Sequence, residues 1–460
     1  MRYRRFLLFV VLCLFSAGIS SAQTPRYVFY FLGDGMGLNQ VHLTQGYNSA
    51  LGLPSVPYLD FPVFTMITTH SASSLVTDSA AAGTALSTGG KTRNGSLGVD
   101  AEGNRLVNIM ELAHAKGYGT GVVTSVGVNH ASPAAFYAHV GRRHEYTEIT
   151  RQLIEEPVID FAAGATILIQ RGDTLKPEDY VQRARGNGMR VYCGKSEYAG
   201  AAKGERVLYL SDRLDKKYIP YAIDRKEGDM SLADFTSAAI DYLYPNYRKG
   251  FVLFIEGGQI DHACHSRDAG NCVHETNDMS ESVRLALDFY ARHPNETLII
   301  ITADHETGGL VMSKGSYELH PELLAGQKCS LESLTAQIAE LRKSKPEVSW
   351  SELKALISRQ TGLWDSVPVS AQDEKRFTQI YKESFLDMDG AVEKNLYSAN
   401  ERIAAECLIF LGGEARYTWA TNSHSGMPVP LYVKGAKAME FISCRDNTDV
   451  PKVLKKVAKF

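Results

Sequence analysis

Apolar residues in this chain gather in short unbroken runs separated by stretches of helical spacing. Runs at 27–32, 121–126, 251–255, 298–302 and 431–433 carry few polar interruptions, as strands buried on both faces do. The segment 108–116 stops at Gly117, and 231–244 opens with the capping box Ser231-x-x-Asp234. The segment 279–293 spaces its apolar residues by three and four. Strands alternating with helices predict an α/β fold with a mostly parallel central β-sheet flanked by helices. The pattern changes at about 311–420. Strand signals thin out, and helical spacing appears at 331–343, at 352–359 behind the box Ser349-x-x-Glu352, at 374–384 and at 399–411. This predicts a largely helical insertion in the α/β core.

Composition narrows the class. With 460 residues, 44% hydrophobic and 22% charged, the chain is neither fibrous nor wholly disordered. Its 49 Lys and Arg against 52 Asp and Glu leave a net charge of −3, with no basic excess for nucleic acid. The first residues stand apart. Arg2, Arg4 and Arg5 precede an apolar run from Phe6 to Phe15, and Ser20 and Ala22 follow at the spacing of a cleavage site. This reads as a signal peptide over 1–22, and the run is well short of the ~20 apolar residues of a membrane span. The expectation is an exported protein, periplasmic or secreted, with no membrane span once the leader is removed. Six cysteines remain beyond the leader, with no Cys-x-x-Cys. Thiolate zinc sites are therefore disfavoured, and the close pair Cys264 and Cys272 is the favoured bridge.

In open α/β sheets, ligands bind beyond the carboxyl ends of the strands, and these ends carry chemistry. Gly33-Asp34-Gly35 follows 27–32, and Asn129-His130-Ala131-Ser132 follows 121–126. Glu256 and then Asp261-His262-Ala263-Cys264-His265 follow 251–255, and Ala303-Asp304-His305 follows 298–302. Singly, each has a plain reading: Asp34 as a turn residue, His305 as a core histidine, Asp261 with His265 as a helix-surface pair. Together they place Asp, Glu and His at one edge of one sheet. Imidazole with carboxylate suits zinc, and oxygen-only subsets suit magnesium.

Ser79, in Thr77-Asp78-Ser79-Ala80-Ala81-Ala82-Gly83-Thr84-Ala85, starts a small-residue helix. A helix N-terminus suits a phosphate, which makes this hydroxyl a candidate nucleophile. A plain Asp or Ser cap is the other reading. No Gly-x-Ser-x-Gly elbow occurs, so metal coordination is the expected activator. Arg143, beside Arg142, offers a guanidinium that holds two phosphate oxygens at once; a solvated loop arginine is the alternative. His424 lies in a loop before the last strand.

These segments, in this order, resemble the alkaline phosphatase family. They are Gly-Asp-Gly-Met-Gly at 33–37, the Thr-Asp-Ser run at 77–85, Ser-Thr-Gly at 87–89 and His-Ala-Ser-Pro-Ala-Ala at 130–135. Glu-Gly-Gly-x-Ile-Asp-His at 256–262, Thr-Ala-Asp-His at 302–305 and His-Ser-Gly at 424–426 complete the set. The match covers most of 27–310 and about 421–435, and leaves 311–420 unmatched. The resemblance implies an exported phosphomonoesterase that hydrolyses small phosphate monoesters through a phosphoserine on Ser79. It implies two Zn2+ and one Mg2+. One zinc would sit on Asp261, His265 and His424; the second on Asp34, Asp304, His305 and the Ser79 alkoxide; the magnesium on Asp34, Ser132 and Glu256. Arg143 would bind the phosphoryl oxygens. His130 and His262 stand where some bacterial members carry Asp and Lys. His130 offers the third ion a nitrogen, so another divalent ion could replace magnesium there.

Two metal ions about 4 Å apart can stabilise both oxygens of an in-line displacement. Positioning and charge stabilisation are most of what phosphoryl transfer demands. The resemblance also allows a homodimer. The domain expected over 23–460 carries the insertion between His305 and His424, so the ends of 311–420 should lie near the active site. Two alternatives stand: a metal-dependent phosphodiesterase of the same superfamily, or an exported phosphate- or metal-binding protein without turnover. No Cys-x-Pro-x-Arg site supports a sulfatase.

Overall fold

Every residue of the five apolar runs is buried, and the runs form the middle of one sheet. The computed structural model describes residues 24–460 apart from 314, 316, 346, 388 and 389, so the leader expected at 1–22 lies outside the described residues. Among the described residues, nine strands form the main sheet: β1 (Tyr27–Gly33), β2 (Val63–Ile67), β3 (Gly119–Thr124), β4 (Phe161–Gly164), β5 (Met189–Cys193), β6 (Arg206–Leu210), β7 (Phe251–Gly257), β8 (Thr297–Thr302) and β9 (Val429–Gly435). Their order is β2-β9-β8-β1-β7-β3-β4-β6-β5. Within this sheet only β9 runs against its neighbours β8 and β2; its other ladders are parallel. This is the mostly parallel, helix-flanked α/β sheet that the alternating pattern predicts.

Register decides what the sheet presents. Leu32 of β1 pairs with Glu256 of β7 and Thr302 of β8, and Glu256 also pairs with Thr124 of β3. Four carboxyl ends therefore finish level, and the residues after them meet. The strand expected at 121–126 begins and ends two residues earlier. β2, β4, β5 and β6 go beyond the predicted runs. β4 is Phe-Ala-Ala-Gly, too small to read as an apolar run, and β2 is an edge strand with Phe64 exposed.

The helices follow their caps. Ile109–Ala115 starts at a capping box of Asn108 and Glu111, and Leu232–Asn246 at one of Ser231 and Asp234. The helix expected from 279 begins earlier, at Ala269, because Asp268 caps it by accepting from Asn271 N. Among the described residues no helix is long and apolar enough to cross a membrane.

Between 311 and 420 the main elements are the helices Leu331–Ser344, Trp350–Thr361, Ala371–Tyr381 and Arg402–Glu414. The last starts later than its pattern suggests, because Ala399–Glu401 pairs as a short ladder with Val392–Lys394. These helices bury their own apolar cluster, including Leu334, Ile338, Leu353, Phe377 and Leu411. Leu43, Tyr47 and Val273 from the α/β core join it. The bridge expected between Cys264 and Cys272 is not formed. Both are free thiols, held by successive helices with their sulfurs 3.7 Å apart, in contact but unbonded.

Candidate active site

Each candidate ligand reaches the sheet edge by a local device. After β1 the chain turns at Gly35, whose φ is +71° and whose missing side chain lets Asp261 approach; a Cβ there would lie 2.7 Å from Asp261 Oδ1. Gly35 N donates to Asp304 Oδ1 at 3.1 Å, which ties the ends of β1 and β8 together. Asp34 does sit in this turn, which Met36 N closes by donating to Gly33 O at 3.1 Å, but its side chain is completely buried, so a turn role alone does not account for it. After β7, the helix Gln259–His265 carries Asp261, His262 and His265 into the same space, all buried.

Ser79 opens the helix Ser79–Thr88, every residue of which is buried. Gly83 lets this helix close on the turn at 131–134, since a Cβ there would sit 2.9 Å from Ala135 Cβ. Asp78 caps the helix: its Oδ1 accepts from Ala81 N and Gly95 N, each at 3.0 Å. Its Oδ2 accepts from Arg143 Nη1 at 3.0 Å. One carboxylate thus sets both the helix start and the guanidinium beside it.

Three ligand-spaced groups occur among the described residues: Asp261, His305 and His424; Asp34, Asp304 and His305; and Asp34, His130 and Glu256. Around the first, His265 Nε2 lies 3.3 Å from Asp261 Oδ2, and its Nδ1 lies 2.6 Å from Asn422 O. The rings of His305 and His424 stack at 3.6 Å. Around the third, Ser132 Oγ donates to Asp34 Oδ2 at 3.4 Å, and Thr124 donates to Glu256. His130 Nε2 lies 3.4 Å from Arg143 Nη2. His262 joins none of these groups; its ring contacts those of Tyr218 and Tyr397.

The pattern around His305 decides between two chemistries. In a Ser-His-Asp relay the serine and the carboxylate use opposite ring nitrogens. Here Ser79 Oγ at 3.2 Å, Asp304 Oδ2 at 3.1 Å and Asp34 Oδ1 at 3.6 Å all converge on Nε2. Convergence of donor atoms on one point is the geometry of a cation site. Asp34 Oδ1, Glu256 Oε1, Asp304 Oδ2, His265 Nε2 and His424 Nε2 are buried without a hydrogen-bond partner. Such orphaned atoms are costly unless an ion satisfies them, so this donor set of carboxylates and imidazoles fits divalent metal ions.

Electrostatics agree. Burial, with Asp304, Asp261 and Glu256 close by, pushes the Asp34 carboxyl well above its usual range. Burial raises Glu256 to about 7 and Asp304 to about 6. Burial also acts against an ionised Asp261, yet the imidazoles of His265, His424 and His305 hold it well below the carboxylate range. Burial keeps His130 and His305 well below the usual histidine value and takes His262 to about 4. Neutral imidazoles are the form that binds metals; His265 departs from this pattern, because against the opposing effect of burial Asp261 raises it.

Several residues here escaped the sequence reading. Thr307 Oγ1 donates to Asp261 Oδ1 at 2.5 Å and lies 3.2 Å from His305 Nδ1. Its place two residues after His305 is a signal that could have found it. Tyr397 OH donates to Asp261 Oδ2 at 2.9 Å from far along the chain, and no local pattern marks it. The tie from Asp78 to Arg143 is likewise a product of the fold.

A family model described as alkaline phosphatase matches residues 25–460. Alkaline phosphatase 4 of Bacillus subtilis is 29% identical over 94% of this chain and 89% of its own. The repressible alkaline phosphatase of Saccharomyces cerevisiae is 27% identical over 91% of this chain and 77% of its own. Among solved structures, a cold-active alkaline phosphatase from Shewanella sp. superposes with a TM-score of 0.78 at 25% identity, covering 94% of this chain and 99% of its own. That of Thermus thermophilus gives 0.76 at 25% identity, covering 96% and 92%.

Proposed function

The chain belongs to the alkaline phosphatase family and is an alkaline phosphatase enzyme, and from that premise we propose that it hydrolyses phosphate monoesters through a phosphoserine on Ser79. The observation that carries this reading is the convergence of Ser79, Asp304 and Asp34 on His305 Nε2. Asp34, Asp304, His305 and Ser79 would hold one zinc, and Asp261, His265 and His424 the other. His305 also lies within ligand reach of Asp261 and His424. Asp34, Ser132 and Glu256 would hold magnesium, with His130 at its margin. When bound, these ions neutralise the clustered carboxylates, acidify the serine hydroxyl and stabilise charge on the phosphoryl oxygens.

The protein's own groups do the rest. The Ser79 oxygen attacks phosphorus, the ester P–O bond breaks and the alcohol leaves. Water then cleaves the phosphoserine, releasing phosphate and restoring Ser79. Arg143, held by Asp78, grips two phosphoryl oxygens, and the positive end of the helix Ser79–Thr88 favours the same anion. Tyr397 and Thr307 fix the two oxygens of Asp261.

In this reading the leader over 1–22 directs export to the periplasm or medium, 23–460 is one domain, and 311–420 is an insertion beside its active site. A homodimer belongs to the same reading. The test is a chromogenic phosphomonoester assayed beside a diester and a sulfate ester, with zinc and magnesium measured on the active protein. Turnover of the monoester with about two zinc ions per chain supports the proposal; preference for the diester would replace it with a phosphodiesterase, and absence of turnover with a binding protein.

A further inference from the structure

The cleft does not end where a phosphoryl group would. A cavity of about 690 Å3 runs outward from Asp78, His130, Arg143, His262 and His424. Its far wall is apolar. Ile167, Leu168 and Ile169 follow β4, Leu214 follows β6, and Tyr146 and Leu396 line the sides. Cavities of roughly 300–1,000 Å3 enclose ligands far larger than phosphate, so an ester of a small polar alcohol would leave this wall bare.

The wall is held in place. Ile169 and Leu214 pack back onto the main core. Buried Asn129 pins the Leu168 backbone from both sides: its Nδ2 donates to Leu168 O at 2.9 Å, and Leu168 N donates to its Oδ1 at 2.7 Å. Thr166 Oγ1 donates to Leu214 O at 2.7 Å, which ties the two loops together. Asp215, Lys216 and Lys217 are exposed, so their charges stand in water at the rim. Three rings share this lining: that of Tyr397 lies 3.8 Å from that of His262, and that of Tyr218 lies 5.2 Å from it. A ring-lined strip thus joins the anion end to the apolar end.

We infer that the cavity takes the leaving alcohol of the substrate, and that this alcohol is bulky and apolar, an alkyl or aryl group lying along Ile167–Ile169 and Leu214. The inference rests on the phosphomonoesterase reading above and adds the substrate class. Primary alkyl phosphates from ethyl to hexyl share one leaving-group chemistry, so differences in kcat/KM along the series report contact with the wall. The expected rise is about two- to fourfold per methylene. The double variant Ile169→Ser/Leu214→Ser should flatten the series, lowering the ratio of hexyl to ethyl phosphate kcat/KM towards one. If that variant fails to fold, Leu396→Ser, at an exposed side chain, should make the rise shallower. A flat wild-type series with good turnover overturns the alcohol pocket and leaves the phosphatase reading standing. A rising series unchanged by the folded variants overturns the assignment to this wall. No turnover of any ester, ethyl phosphate included, overturns the phosphatase reading and this inference with it.

Discussion

Asp304 at the sheet edge and Asp268 where the helical stretch meets the core are both fully buried carboxylates, and burial pushes both up to about 6. Their partners differ. Asp268 accepts from Asn271 N at 3.0 Å, Gln327 Nε2 at 2.7 Å and Leu331 N at 2.8 Å. Asp304 has an oxygen with no partner, and it lies within ligand spacing of Asp34, whose Oδ1 is also orphaned, and of His305. Orphaned atoms also occur among the described residues of the helical stretch, as at Ser384 Oγ and Arg416 Nε, but none there belongs to a ligand-spaced group. A shifted pKa or a buried charge therefore does not separate the site from the scaffold here. Convergence of unsatisfied donors does, because several ligands aimed at one point have a common remedy, whereas a scattered orphan is only a local cost.

The strongest test of that contrast is Ser79→Ala. It should lower kcat by about three orders of magnitude or more with little change in Tm, since a serine at a helix start loses no packing when it becomes alanine. Acid quenching of wild type should trap phosphate on Ser79; a variant within tenfold of wild type would rule out the covalent route. Arg143→Ala should cost about 2–4 kcal/mol of transition-state stabilisation and weaken inhibition by inorganic phosphate. Unchanged inhibition would move that role to another cation, with Arg142 the first to examine. Leu334→Ala should do the reverse of Ser79→Ala. It should cost about 3 kcal/mol of unfolding free energy and leave kcat for ethyl phosphate near wild type, as a urea melt and an assay will show. An equal fall in kcat would mean the two regions are not separable.

Asp268 sharpens the comparison through pH. Its folded-state pKa, about 6, lies above the unfolded carboxylate value, so protonation favours the fold. The linked stability is present in acid and is lost as pH rises through about 6. The advantage of wild type over Asp268→Asn, measured as unfolding free energy, should shrink by about 2 kcal/mol between about pH 4 and pH 8. A difference that stays flat with pH would show that the carboxyl is already ionised in the fold. The smallest expected effect is at His130. His130→Asp replaces a nitrogen with an oxygen beside Asp34 and Glu256, so magnesium affinity of the zinc-loaded protein should rise severalfold. Identical magnesium titrations would leave His130 as a packed loop histidine.

The strand runs and the residues just after them were legible in the sequence for one physical reason. A buried strand must be apolar throughout, and the next few residues of the chain are delivered to the sheet edge. Asp34, Glu256, Asp304 and His305 could be read together because each is tied locally to its own strand. The small-residue run at 80–85 likewise announced a helix packed too closely for larger side chains. What the chain could not disclose by itself were pairings set by the register of distant strands and by the fold of 311–420. The share of His305 in two ligand groups, the Asp78 anchor of Arg143 across 65 positions, and the Tyr397 contact with Asp261 across 136 arise only there. The unbonded meeting of Cys264 and Cys272 is of the same kind. Local periodicity determines which groups reach the edge of the sheet; packing between distant elements determines which of those groups touch.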